Sequence, residues 1–108
     1  MSRIPMLEAY LAKKPGDRFT LYSLGMEYRQ AGEIVRAEAC FRDLLARHPL
    51  SGAGYLQLGQ MLADVGRAEE AVTVWRSGLD QLSGATDAES RRSFREIQSA
   101  IEDLDISG

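Results

Sequence analysis

Residues 18–49, RFTLYSLGMEYRQAGEIVRAEACFRDLLARHP, and residues 52–83, GAGYLQLGQMLADVGRAEEAVTVWRSGLDQLS, decide the fold when one is laid over the other. With a shift of 34 residues, Leu24-Gly25 falls on Leu58-Gly59, Gly32 on Gly66, Ala37 on Ala71, Arg42 on Arg76 and Leu45 on Leu79. Phe41 falls on Trp75, large ring on large ring. Six of the 32 aligned positions are identical, where average residue usage gives about two by chance. The matches are the glycines, the alanine and the apolar anchors that a packed helix pair needs. A fixed period of this length is the mark of a repeat architecture in which each unit buries its core against its neighbours.

Each repeated position has a physical reading. Gly25 and Gly59 fall inside helical patterns, where glycine costs roughly 1 kcal/mol relative to alanine. The same cost at the same phase implies a close approach between two antiparallel helices, with Ala37 and Ala71 as the matching small surface on the second helix. Gly32 and Gly66 follow the last periodic residue of a helix, where a left-handed cap is wanted. Pro15 and Pro49 cannot continue a helix and push the residue before them out of it. Phe41 and Trp75 are expected to fill space between successive repeats. Upstream, Leu11-Ala12-Lys13-Lys14-Pro15 matches Leu45-Ala46-Arg47-His48-Pro49 at three of five positions, as the second helix of a preceding, partial repeat would.

The spacing predicts helices over residues 4–14, 18–31, 33–48, 52–65 and 67–82. Ser2 is the candidate N-cap of the first, with Pro5 tolerated in its opening turn. After Ser83-Gly84-Ala85 the run Thr86-Asp87-Ala88-Glu89 reads as a capping box that opens a last helix. There Phe94, Ile97, Ile101 and Leu104 recur at helical spacing as one apolar stripe. Arg91, Arg92, Arg95, Glu96, Glu102 and Asp103 occupy the other side, as in a terminal cap with one face for its neighbour and one for water.

Composition narrows the function classes. The 108 residues are 44% hydrophobic and carry a formal net charge of −3, which fits one globular domain and argues against nucleic acid, whose binders carry a basic face. No apolar run approaches the roughly 20 residues that span a bilayer, and the N-terminal stretch, interrupted by Glu8, lacks a signal-peptide core. A soluble, cytoplasmic chain is the expectation. The single cysteine, Cys40, reads either as a small apolar side chain in a helix seam, like its repeat partner Val74, or as a reactive thiol. The single histidine, His48, lies eight residues on in the same helix, about 12 Å of rise, too far for a nucleophile–base pair. No cluster offers the three or four ligands of a metal site. Neither enzymatic activity nor a metal or cofactor is expected.

Taken together, Leu21, Leu24-Gly25, Tyr28, Gly32, Ala37, Phe41 and Pro49 in one unit resemble the tetratricopeptide repeat (TPR) pattern. Tyr55, Leu58-Gly59, Leu62, Gly66, Ala71 and Trp75 carry the same pattern in the next. Leu21 stands where the family has tryptophan, and Ser83 where the closing proline should be. The resemblance covers about residues 4–83. It implies an all-α superhelix of antiparallel helix pairs forming one domain over residues 1–108. Its parts are a partial repeat helix (4–15), two repeats (18–51 and 52–85) and a capping helix (86–105). It also implies a protein-interaction role, because first helices of successive TPR units line a concave groove for a peptide or partner helix. By position, the groove residues are Phe19, Tyr22, Met26 and Arg29, then Ala53, Leu56, Gln60 and Ala63, with Phe94 added by the cap. The clamp that holds acidic chaperone tails in this family corresponds to Tyr22, Met26, Gln57, Asp87 and Arg91. Only Arg91 fits, and Asp87 would repel a carboxylate, so a chaperone-tail clamp is not expected. Two functions remain: an adaptor presenting an apolar groove to a protein partner, or a structural module whose copies self-associate, as a homodimer for instance, through the same apolar faces.

Overall fold

The computed structural model describes residues 2–107. Its six helices are α1 (Ile4–Lys13), α2 (Arg18–Gln30), α3 (Ile34–Arg47), α4 (Gly52–Asp64), α5 (Ala68–Leu82) and α6 (Ala88–Ser107). No strand occurs among the described residues. The chain divides at Pro49–Leu50 into two compact units. In the first, α2 pairs with α3 and α1 packs on α2; in the second, α4 pairs with α5 and α6 packs on both.

The two helix pairs are closed by the same backbone device. Gly32 and Gly66 have φ of 81° and 86°, a region open to glycine at no steric cost. The Glu33 N–H donates to the Tyr28 carbonyl at 2.8 Å and the Gly32 N–H to the Arg29 carbonyl at 3.1 Å. The Arg67–Leu62 and Gly66–Ala63 bonds repeat this at 2.8 and 3.1 Å. These are the paired bonds of a Schellman cap. α3 and α5 follow at once and begin with no side-chain cap.

Inside each pair the glycine faces a ring. A Cβ on Gly25 would stand 2.7 Å from the Phe41 ring, and one on Gly59 would stand 2.0 Å from the Trp75 indole nitrogen. The nearest neighbour of each glycine is therefore an aromatic ring of the paired helix. Phe41 and Trp75 sit over the glycine of their own helix pair. The rings are 0% and 1% exposed, and the Trp75 N–H donates to the Leu56 carbonyl at 3.3 Å. A polar atom buried this deeply needs such a partner. Ala37 and Ala71 are fully buried, as expected.

Two helix starts differ from expectation. Asp87, not Thr86, caps α6: its Oδ2 accepts the Ser90 N–H at 3.0 Å. The carboxylate is held below its ordinary value of 3.8, first by the Ser90 backbone bond. At α1 the cap position belongs to Arg3, while the Ser2 hydroxyl accepts the Ile4 N–H at 3.1 Å. The α6 stripe is also less buried than its pattern suggested. Ile97 is fully buried, but Phe94, Ile101 and Leu104 are half-buried.

Candidate protein-binding faces

The face of α2 that holds its core residues carries Leu21, Leu24, Gly25 and Tyr28. Helical spacing then leaves Phe19, Tyr22, Met26 and Arg29 on the adjoining side. Phe19 is 70% exposed, and the other three are half-buried. The Tyr22 ring meets Phe41 edge to face, with centroids 6.3 Å apart and planes at 65°. Tyr22 thus packs partly against the core. Asp17 sets the start of the helix: its carboxylate accepts the Thr20 N–H at 2.9 Å and the Thr20 hydroxyl at 2.6 Å.

The register-equivalent face of α4 has different chemistry. Ala53 and Gln60 are exposed, and Leu56 and Ala63 half-buried. The Gln60 amide donates to Asp64 at 3.2 Å, so this face is small and partly polar where that of α2 is aromatic. Phe94 of α6 lies elsewhere, in a cleft of about 340 Å³ in the second unit. Leu82, Ser83 and Ala85 from the end of α5 line it, with Arg91, Phe94, Arg95 and Gln98 from α6. Phe94 belongs to that cleft with those neighbours.

The first unit also holds a cleft of about 670 Å³ that sequence reading missed, lined by parts of α1, α2 and α3. Leu11, Leu24 and Cys40 supply apolar surface, while Glu8, Arg36, Asp43 and Arg47 supply charge. The Tyr28 hydroxyl donates to the Glu8 carboxylate. The Arg36 guanidinium lies 5.9 Å from the Tyr28 ring centroid, and Arg47 pairs with Asp43 at 3.0 Å. Burial, with the Glu8 bond second, pushes Tyr28 up to about 12. Burial also pushes the Cys40 thiol up to about 11, opposite to the shift that activates a nucleophilic cysteine. His48 Nε2 lies 2.8 Å from the Gly16 carbonyl, tying the α3 end to the α1–α2 turn. Among the described residues no three His, Cys, Asp or Glu side chains gather as a metal would require. No described helix is long and apolar enough to cross a membrane. The only sequence signal for this cleft was the match of Leu11–Pro15 to Leu45–Pro49, which marks a second-helix segment but not what it encloses.

No protein-family model and no curated protein sequence matches the chain. Among solved structures it is similar to a tetratricopeptide repeat domain protein from Salinibacter ruber. The two share 24% identity at a TM-score of 0.71, over 82% of this chain and 96% of that one. With the Schellman-capped helix pairs and the glycine–ring contacts, this likeness gives the chain an all-α helical repeat fold of the tetratricopeptide type.

Proposed function

We propose that this chain is a protein-interaction module, an adaptor or scaffold whose first-helix faces take up a peptide or helix of a partner protein. The observation that carries the reading is Phe19. It is 70% exposed on α2, beside the half-buried Tyr22 and Met26. An aromatic anchor with apolar neighbours is the composition of an interaction site. Arg29 at the far end of the stripe makes the face mixed, so the reading favours an amphipathic segment over a wholly apolar one. The weaker face of α4, with Ala53, Leu56, Gln60 and Ala63, offers shape more than anchoring.

Phe19→Glu is the variant that separates binding from folding, because this ring is the most exposed of the stripe. Tyr22→Glu is unsuitable, since Tyr22 packs on Phe41. Capture of partners from native lysate by wild type is expected to fail with Phe19→Glu at an unchanged melting temperature. An identical set of captured proteins with both chains would overturn the proposal.

A further inference from the structure

One side of α6 combines half-buried apolar residues with exposed charge. Ile97 points into the second unit and is fully buried. At 100° per residue, Phe94 and Ile101 stand to one side of it and are half-buried, followed by the exposed Arg91, Arg95, Gln98 and Glu102. The spacing is that of a heptad seam, with Arg91, Phe94, Gln98 and Ile101 at the a and d positions and Arg95 and Glu102 at successive e positions. Its polarity changes along the helix. On this side Arg91 and Arg95 lie in the first half and Glu102 in the second. Among the described residues Arg91, Arg95 and Glu102 have no ion-pair partner. The cleft beside Phe94 is lined by Arg91, Arg95 and Gln98 of this same side, with Leu82.

We infer that two copies of the chain associate through antiparallel α6 helices around a two-fold axis at Gln98. That register places Phe94 of each copy beside Ile101 of the other, and Arg95 of each beside Glu102 of the other. Both pairs occur twice by symmetry, the self-complementary pattern an isologous contact demands. A parallel pairing would set Arg91 against Arg91 and leave Arg95 and Glu102 across from Ser90 and Ile97, with no opposite charge, so charge favours the antiparallel form. Gln98, meeting itself at the axis, is the kind of single polar a-position residue that specifies register. The helix is already held on α4 and α5, so little ordering entropy opposes the contact. The contact from Arg91 to Glu102 spans roughly 18 Å of helix. An interface at the small end of the range is expected, with weak, concentration-dependent association.

This inference is independent of peptide capture at α2, and its test leaves Phe19 untouched. Sedimentation equilibrium of the wild type should show a monomer–dimer equilibrium. Arg95→Glu alone and Glu102→Arg alone each replace two attractive contacts with two repulsive ones, and each should weaken the dimer at least about tenfold. Both residues are exposed, so melting curves unchanged from wild type at concentrations well below dimerisation are expected as the folding control. Mixing the two single variants restores both opposite-charge pairs in the heterodimer and should return wild-type association. A wild type that stays monomeric up to about 1 mM overturns the inference, the weakest affinity class to which a specific contact would belong. Dimerisation unaffected by the single variants would place the contact elsewhere and overturn it. Failure of the mixture to associate would do the same.

Discussion

At the scale of single residues, the second helix pair solves a packing problem differently from the first. A Cβ on Gly78 would stand 2.7 Å from the Tyr55 ring. The register-equivalent positions in the first unit are Leu21 and Leu44, both buried. A large residue facing a glycine thus replaces two of middle size. Gly78→Ala should therefore destabilise the chain by about 1–3 kcal/mol through overpacking, despite alanine's better helix propensity. Tyr55→Leu combined with Gly78→Leu rebuilds the first unit's solution and should recover most of that loss; a double-variant melt no better than Gly78→Ala would refute the exchange. Gly59→Ala is the harsher test, since its Cβ would fall 2.0 Å from the indole. It should cost more than Gly25→Ala, and Trp75→Phe in the same chain should relieve part of the cost. Cys40 makes a chemical prediction. Its thiol, held at about 11 instead of 9.0, should alkylate at pH 8 about a hundredfold more slowly than in the unfolded chain, because only the thiolate reacts.

At the scale of elements, the helix starts carry the pH dependence. Asp17 is held below its ordinary 3.8 first by the Thr20 hydroxyl and then by the Thr20 N–H. A depressed folded-state value means the cap stabilises above the unfolded value and is lost as pH falls through the folded one. The melting difference between wild type and Asp17→Ala should thus be present at pH 7 and vanish in strong acid; equal differences at both would show that the charge is not involved. Among the described side chains of α6, only Ile97 is fully buried. Ile97→Ala should cost about 2–5 kcal/mol, while Ile101→Ala should cost distinctly less. Comparable losses would mean the stripe is buried along its whole length. Truncation after Gly84 removes the cover that α6 gives to both α4 and α5, so the shortened chain should melt lower and less cooperatively.

At the scale of the whole molecule, partner capture and self-association would use different helices and can be read separately. If copies pair through α6, the melting temperature should rise with protein concentration, because only the folded chain forms the dimer. It should rise less in high salt, where exposed charge pairs are screened. Phe19→Glu should leave that dependence intact. A melting temperature independent of concentration in wild type would remove self-association and leave peptide binding at α2 as the sole proposed role.

The period of 34 residues, the phase of Gly32 and Gly66 and the prolines determined the helices, their turns and the all-α repeat fold. All of these act locally: a left-handed cap or a missing N–H sets a boundary whatever surrounds it. The family resemblance also placed Phe19 among the groove positions. Only the tertiary structure decided what faces what. It placed Phe41 and Trp75 on the glycines of their own pairs, drew Tyr22 toward Phe41, moved the last cap from Thr86 to Asp87, and put Phe94 in a cleft with Arg91 and Arg95. It also opened the cleft over Leu24 and Cys40. Contacts of this kind depend on how far each helix is rotated about its axis, and a periodic pattern leaves that rotation undetermined by a residue or more. The rotation is set when rings and glycines from different helices settle the last ångström of packing.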